Sequence, residues 1–186
     1  MRKTLQLKLA VCVIAFLSFA VTATAAGTVY TQNNIFVAEQ LNRGAKIYKA
    51  SYSGWVELRP PFFILPAGSK VKVGSSRHGF SLRTEDGKEI IFEYRRNLPM
   101  PRDKYIAKIT SSKPFDLGKF NARDRKGIKS GKVSLGMSKA GVVAALGYPP
   151  VHKVFSLDDN AWTYWKDRYR TMIIEFKGGE VANIRQ

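Results

Sequence analysis

The sequence offers few residues that could carry out catalysis. Its 186 residues include one cysteine, Cys12, and two histidines, His78 and His152. A nucleophile needs a neighbouring base, and no serine lies in a nucleophile motif. A structural zinc site takes about four Cys or His ligands, more than the chain contains. The composition therefore predicts a protein that is not an enzyme and has no catalytic residues, no metal site and no cofactor.

The other polar candidates fall in predicted loops. His78 lies in a turn between two strand-like runs, and His152 follows a Pro-Pro pair. Asp158 and Asp159 lack the ligand spacing of a calcium-binding loop. Gly178 precedes a strand pattern rather than a helix N-terminus, so it does not predict a phosphate-binding loop. We interpret these residues as parts of solvated loops and turns.

Basic residues dominate the charge of the chain. Lysine and arginine number 31 against 14 acidic residues, which gives a formal net charge of +17. Thirteen of the basic residues lie in segment 95–139, which holds only three acidic ones. This excess predicts an anionic partner, and the candidate binding residues are Lys119, Arg123, Arg125, Lys126, Lys129 and Lys132. A solvated helical connector without a binding role explains the same segment and stays open.

The amino-terminal residues have the pattern of a secretory signal peptide. A positive region precedes the apolar run Leu9–Val21, which is too short to span a bilayer as a helix. Ala23-Thr24-Ala25 follows as a site for the ordinary signal peptidase. Because Cys12 lies inside the apolar run, the pattern does not predict a lipid anchor. We expect the signal peptide, 1–25, to be removed and the remainder to be exported to the periplasm, either free or peripheral at the outer membrane.

Residues 26–98 have the pattern of a small antiparallel β-barrel. Short β-prone runs recur, broken by Asn, Gly, Ser and Pro. Apolar and basic residues alternate in Lys70–Gly74, and Asp86-Gly87 suits a tight hairpin turn. About five or six such strands in this length are typical of small barrels. The pattern resembles bacterial SH3-like domains.

Segment 99–131 predicts a basic helical connector. A short helix is predicted over 103–110, before a proline. Asn121 is a suitable N-cap for a second helix that ends before Gly131, and Asp124 occupies the capping-box position. Basic side chains cover most of this second helix, which leaves few apolar residues to anchor it.

The carboxyl-terminal segment, 132–186, has the pattern of an α+β domain. Ser138 is a natural N-cap for a helix over 139–146, and Gly147 ends that helix. Strand-like runs follow at 162–165, 171–177 and 180–185. Helices are therefore expected to cover one face of an antiparallel three-stranded sheet. Alternation along the first run places Trp162 and Tyr164 together, and we expect both to be buried.

An ordered set of residues in this segment carries a family resemblance. Its members are Gly136, Met137, Ser138, Val142, Leu146, Gly147, Pro149, Pro150, Trp162, Tyr164, Phe176 and Gly178. The set resembles the SmpA/OmlA (BamE-like) family. The resemblance implies a helix-helix-three-strand fold, a Gram-negative envelope setting, and protein or lipid binding without catalysis. Family members commonly have a polar residue at the position of Gly141, where glycine weakens a helix by about 1 kcal/mol relative to alanine.

The sequence therefore predicts an α+β chain in which a small SH3-like barrel (26–98) is joined by a basic helical connector (99–131) to a BamE-like domain (132–186). The function predicted first is protein or lipid binding in outer-membrane assembly or envelope maintenance. Its partners are then envelope proteins, including outer-membrane assembly components, or anionic lipid, and not nucleic acid. The alternative is a module that binds the cell wall, either peptidoglycan or another anionic polymer. A secreted inhibitor that presents its sheet to an enzyme is a third reading.

Overall fold

The computed structural model describes residues 27–186, so the predicted signal peptide lies outside the described residues. Within this range the helices are α1 (Arg102–Ile109), α2 (Ala122–Ser130) and α3 (Lys139–Leu146), with a short 3₁₀ turn at Leu117–Lys119. The strands are β1 (Thr28–Thr31), β2 (Ile35–Asn42), β3 (Ala45–Ser51), β4 (Phe62–Leu65), β5 (Lys70–Ser76), β6 (Gly79–Thr84), β7 (Glu89–Glu93), β8 (Thr110–Ser111), β9 (Ala161–Trp165), β10 (Thr171–Lys177) and β11 (Glu180–Arg185). None of these helices is long and apolar enough to cross a membrane.

Eight strands form one sheet in the order β4-β2-β3-β7-β6-β5-β1-β8. Neighbouring strands are antiparallel except β3 and β7, which run parallel with Tyr48 opposite Ile90. This parallel pair joins an antiparallel unit of three strands to an antiparallel unit of five. The remaining strands form a separate antiparallel sheet in the order β11-β10-β9.

The short link between β1 and β2 forces the large sheet to curl. These strands are consecutive in the chain but five positions apart in the sheet, which is about 24 Å in a flat sheet. The chain from Thr31 to Ile35 spans at most about 14 Å. Only a strongly curved sheet brings the two strands within that reach, so the sheet wraps around its own core as half a barrel.

The fold class predicted from the sequence, a small SH3-like barrel followed by a BamE-like helix-helix-three-strand domain, is wrong. The chain is mostly sheet, with the eight-stranded half-barrel, the three-stranded sheet and only three short helices among the described residues. Local patterns find strand runs but cannot show which runs pair. The pairing of β1 with β8 brings residues of the predicted connector into the large sheet.

Two hydrophobic cores meet at the start of β2, where residues 35–37 are buried on both faces. Ile35 and Val37 point into the curled sheet, whose core also contains Phe80, Leu82 and Ile109. Phe36 points the opposite way, because side chains alternate along a strand, and joins the core formed by α2, α3 and the three-stranded sheet. One strand therefore serves two cores.

The side chain of Asn34, just before β2, forms hydrogen bonds to both helices and to the loop after β4. Its amide nitrogen donates to the carbonyl oxygens of Ile128 in α2, at 2.7 Å, and Ala145 in α3, at 3.0 Å. Its carbonyl oxygen accepts from the backbone N–H of Ala67, in the loop after β4, at 2.9 Å. The side chain is 3% exposed, so these bonds satisfy groups that water does not reach.

Close packing of α2 on α3 depends on glycine. The carboxylate of Asp124, 2% exposed, accepts from the backbone N–H and the hydroxyl of Ser138, each at 2.8 Å. The Asp124 carboxylate does not accept from the Asn121 backbone N–H, as a capping box requires. Asn121 nevertheless caps α2, because its side-chain oxygen accepts from the Asp124 N–H. A Cβ at Gly141 would overlap the Asp124 carboxylate. Gly141, a departure from the family pattern, is therefore required by the helix contact.

The segment between β3 and β4 covers the edge of the small sheet. The backbone N–H of Val56 donates to the carbonyl of Trp165 at 3.0 Å, and that of Glu57 donates to Lys166 at 2.8 Å. Lys166 is buried, and its Nζ lies 3.1 Å from the Glu57 carboxylate. These contacts fasten the long loop after β3 to the end of β9.

Replacing Gly141 with alanine tests the helix contact. Helix propensity alone favours alanine by about 1 kcal/mol, but the added methyl overlaps a buried carboxylate that Ser138 holds in place. We expect Gly141→Ala to lower the free energy of unfolding by about 1–3 kcal/mol in urea titrations. Ala140→Gly, at an exposed position of the same helix, is the control and measures propensity alone. A Gly141→Ala variant at least as stable as the parent would contradict this account.

Candidate functional site

The residues of the family motif form core and turns. Ser138 caps α3 by accepting from the Gly141 N–H at 2.9 Å. Gly136 and Gly178 have φ of 75° and 62°, which favour glycine. The others are buried around α3 and the small sheet, namely Met137, Val142, Leu146, Gly147, Pro149, Pro150, Trp162, Tyr164 and Phe176. These positions explain the motif by packing and turn geometry. The resemblance to SmpA/OmlA proteins stays a prediction.

Four of the six predicted anion-binding residues form an exposed basic face beside α2. Arg123, Lys126 and Lys129 project from α2, and Lys132 follows it. None of the four pairs with a carboxylate in the described part of the chain. We call these four residues the α2 basic face.

The other two predicted residues have structural partners. Lys119 Nζ lies 3.9 Å from the Asp116 carboxylate, and Arg125 donates from Nη1 to the carbonyl of Phe120 at 2.6 Å. Lys139, a further cation of the basic segment, donates to three backbone carbonyls of residues 157–159 at 2.9–3.0 Å. These bonds compete with binding of an external anion.

A large concave feature lies where the curled sheet, α1 and the end of α3 meet. It is an open cleft of about 1280 Å³, bordered also by the loop after β3 and the turn between β9 and β10. Its lining is rich in arginine and aromatic residues, so we call it the arginine–aromatic cleft. No local pattern in the sequence predicts this cleft.

Four arginines on the border of this cleft have no acidic partner. These rim arginines are Arg77, Arg95, Arg96 and Arg168. Arg77 lies in the turn before β6, Arg95 and Arg96 follow β7, and Arg168 lies in the turn before β10. No carboxylate of residues 27–186 forms an ion pair with any of them. Of the other charged groups in the lining, Lys49 pairs with Glu93 and Arg102 with Asp103. The cleft therefore carries an uncompensated positive charge.

Rings make up much of the cleft lining. We call six of them the aromatic wall, namely Tyr52, Trp55, Tyr94, Tyr148, His152 and Trp165. Four of the six form a continuous row. Consecutive ring centroids lie 6.4 Å apart for Trp165 and His152, 6.1 Å for His152 and Tyr52, and 5.9 Å for Tyr52 and Tyr94. Tyr94 is fixed by its hydroxyl, which donates to the carbonyl of Met100 at 2.6 Å. The rings run from the small sheet to the core of the large one.

His152 is held in its neutral form between Trp165 and Tyr52 in the wall. Trp165 donates from Nε1 to His152 Nε2 at 3.3 Å, and only the neutral imidazole offers an acceptor there. Partial burial and then the positive charges of Lys153 and Arg95 lower the pKa of His152 below its ordinary value of 6.5. The imidazole therefore acts as an uncharged part of the wall near neutral pH.

The cleft does not have the geometry of a metal centre. Among residues 27–186 no three His, Cys, Asp or Glu side chains are grouped as metal ligands. His78 and His152 both line the cleft, and the bond from Trp165 occupies His152 Nε2. The arrangement is suited to holding an anion and a ring side by side.

The sequence does not predict the cleft, because its residues come from distant segments. Arg95 and Arg96 belong to the basic segment 95–139, but Arg77 and Arg168 lie in the two end segments, where basic and acidic residues are nearly equal in number. Trp55 and Tyr52 belong to a loop with no periodic pattern. The adjacent pair Arg95-Arg96 directly after a predicted strand was the one local signal.

Comparison with known proteins gives no relative. No family model, curated protein or solved structure matches the chain. The site must therefore be interpreted from its own chemistry.

The bond between Trp165 and His152 predicts a pH-dependent fluorescence signal. When His152 is protonated it no longer accepts from Trp165, so we expect a change in tryptophan emission with a midpoint below pH 6.5. His152→Gln is expected to remove the transition, whereas His78→Gln, which changes a lining histidine that accepts no bond from Trp165, keeps it. A transition that survives in His152→Gln would contradict the assignment.

Proposed function

We propose that the protein is an exported, non-catalytic binding protein of the bacterial envelope, and that its arginine–aromatic cleft binds an anionic polymer of the cell wall. The predicted signal peptide supports export. The scarcity of Cys and His residues supports a binding role rather than catalysis. Of the functions considered from the sequence, cell-wall binding fits the cleft best.

The rim arginines are the observation on which the proposal rests. Four like charges around one cleft repel each other, and no carboxylate among the described residues compensates them. Each guanidinium presents a planar set of donors that matches a carboxylate or phosphate in a bidentate manner. An anionic ligand relieves the repulsion and satisfies these donors at the same time.

The size and openness of the cleft favour a polymer over a small metabolite. Pockets for small molecules measure about 300–1000 Å³ and enclose most of their ligand. This cleft measures about 1280 Å³ and is open along its border. The rim arginines project from three separate turns, so they can contact charges that are spaced along a chain.

Sedimentation with purified peptidoglycan sacculi tests the proposal. We expect the processed protein to pellet with sacculi at low salt and to be released as salt is raised, because exposed charge pairs are screened. Arg95→Gln combined with Arg96→Gln is expected to weaken binding about five- to thirty-fold, since each exposed contact contributes about 0.5–1 kcal/mol.

The matched control removes two charges elsewhere. Lys104→Gln combined with Lys113→Gln lowers the net charge by the same amount but alters neither the cleft lining nor the α2 basic face. We expect this variant to bind sacculi nearly as well as the parent. Equal losses in the two double variants would show that net charge alone attracts the protein, which contradicts a specific cleft.

The α2 basic face supports a second candidate function, lipid binding at the outer membrane. Its four side chains have no carboxylate partner in the described range, and α2 uses Asp124, Gly127 and Ile128 for its inward contacts. Each exposed Lys or Arg near an anionic bilayer contributes about 1 kcal/mol. Four such charges can hold a protein at the membrane reversibly.

Vesicle flotation tests this second candidate. We expect binding to vesicles that contain phosphatidylglycerol, no binding to phosphatidylcholine vesicles, and release by salt. Replacing Arg123, Lys126, Lys129 and Lys132 with Gln is expected to reduce binding at least about tenfold. Arg125 is kept, because it supports the carbonyl of Phe120. If the fourfold variant floats with the vesicles as the parent does, the α2 basic face does not bind lipid and serves only as a solvated surface.

A further inference from the structure

We infer that the ligand of the arginine–aromatic cleft is an acidic glycan, with sugar rings on the aromatic wall and acidic groups on the rim arginines. This inference rests on the proposed function and names the chemical class of its polymer. Three features of the lining carry it: the orientation of the rings, the position of the arginines and the uncharged polar groups between them.

The aromatic wall presents both faces and edges of its rings. Tyr52 meets His152 at an interplanar angle of 70° and Tyr94 at 74°, whereas His152 and Trp165 meet at 30°. Successive nucleic-acid bases stack on ring faces, and two of the three neighbouring pairs in this row do not present their faces side by side. A sugar ring has C–H groups on both faces and around its border, and it packs against faces and edges alike.

The cleft keeps apolar ring surface in contact with solvent. Trp55 is 39% exposed and lies in the loop that pairs with the end of β9. Tyr52 and Tyr148 are half-buried in the same lining. A purely ionic ligand such as a polyphosphate leaves this surface uncovered, whereas burial of ring surface by a sugar is favourable.

Two rim arginines lie close along the chain to rings of the wall. Arg168 is three residues after Trp165, and Arg95 directly follows Tyr94. Both border the cleft, and the positive charge of Arg95 contributes to the lowered pKa of His152. A ligand in the cleft can therefore contact rings and guanidinium groups together, which suits a chain carrying acidic groups on successive rings.

Uncharged polar groups in the lining fit a ligand rich in hydroxyls. Gln40, Ser53, Ser76 and Asn97 all border the cleft. Asn33 lines its inner part, and the side-chain oxygen of this buried residue has no donor among the described residues. Sugar hydroxyls both donate and accept, whereas phosphate diesters only accept. The lining thus matches all three properties of an acidic glycan: rings, hydroxyls and acids.

Calorimetry with four defined oligomers tests the inference on the processed protein. The probes are an oligogalacturonate, a chitin oligosaccharide, a linear polyphosphate and an oligothymidylate. They present, respectively, acidic sugar rings, neutral sugar rings, charge without rings, and phosphates with bases. We expect the oligogalacturonate to bind at least tenfold more tightly than each of the other three under the same salt conditions.

Variants separate the wall from the rim. Trp55→Ala and Tyr52→Leu are each expected to weaken oligogalacturonate binding at least fivefold and to leave polyphosphate binding unchanged. Arg95→Gln combined with Arg96→Gln is expected to weaken both. Tyr52→Phe keeps the ring and is expected to bind oligogalacturonate more tightly than Tyr52→Leu does. Phe155→Ala removes a ring that is 90% exposed but absent from the cleft lining, and it is expected to have no effect. Thermal unfolding checks that each variant is folded.

The outcomes distinguish this inference from the proposed function. Equal binding of polyphosphate and oligogalacturonate would overturn the inference and leave an anion-binding cleft. Tightest binding of the oligothymidylate would overturn it in favour of single-stranded nucleic acid. Failure of every probe, together with failure of sacculus binding, would overturn both proposals.

Discussion

The amide of Asn34 is the interaction on which the arrangement of the molecule depends. It lies in the three-residue link between β1 and β2, and it bonds the ends of α2 and α3 and the loop after β4. All three partners are backbone groups, and a buried backbone group without a partner costs about 1–3 kcal/mol. An aspartate, with an acceptor in place of the amide donor, cannot satisfy the two carbonyls. This one side chain therefore links the start of β2 to both helices and to the loop after β4, and it acts beside the contacts of the loop after β3 with the end of β9.

The arginine–aromatic cleft follows from this junction. Asn33 and Asn34 both line it, and Leu146, Gly147 and Tyr148 continue the lining from the end of α3. Holding α3 against the β1–β2 link sets the position of Tyr148 and of the segment that carries His152. The ring contacts between His152, Tyr52 and Trp165 then connect the two sheets directly. The same constraint that joins the two cores thus shapes the concave surface between them.

The sequence predicts the features that neighbouring residues decide, such as helix ends, but not the features that depend on residues far apart in the chain. Asn121 and Ser138 identified the starts of α2 and α3, and Gly131 and Gly147 their ends, because caps are decided within a few residues. Burial of Trp162 and Tyr164 followed from alternation. By contrast, the β3–β7 pairing, the fold class and the cleft depend on residues far apart in the chain. The sequence alone predicts that Gly141 weakens α3. The Asp124 carboxylate that requires glycine at this position lies on α2, so only the structure shows why glycine is needed.

The position of β1 has a consequence for how the chain folds. Its partners are β5, about 40 residues later, and β8, about 80 residues later. Pairing at such sequence separation closes large loops before it brings any stabilisation, which slows folding. During synthesis β1 therefore emerges long before its partners and keeps unpaired backbone groups exposed. Such an open strand is prone to pair with other chains, so in the cell the time to full sheet assembly sets the period during which this protein needs protection from aggregation.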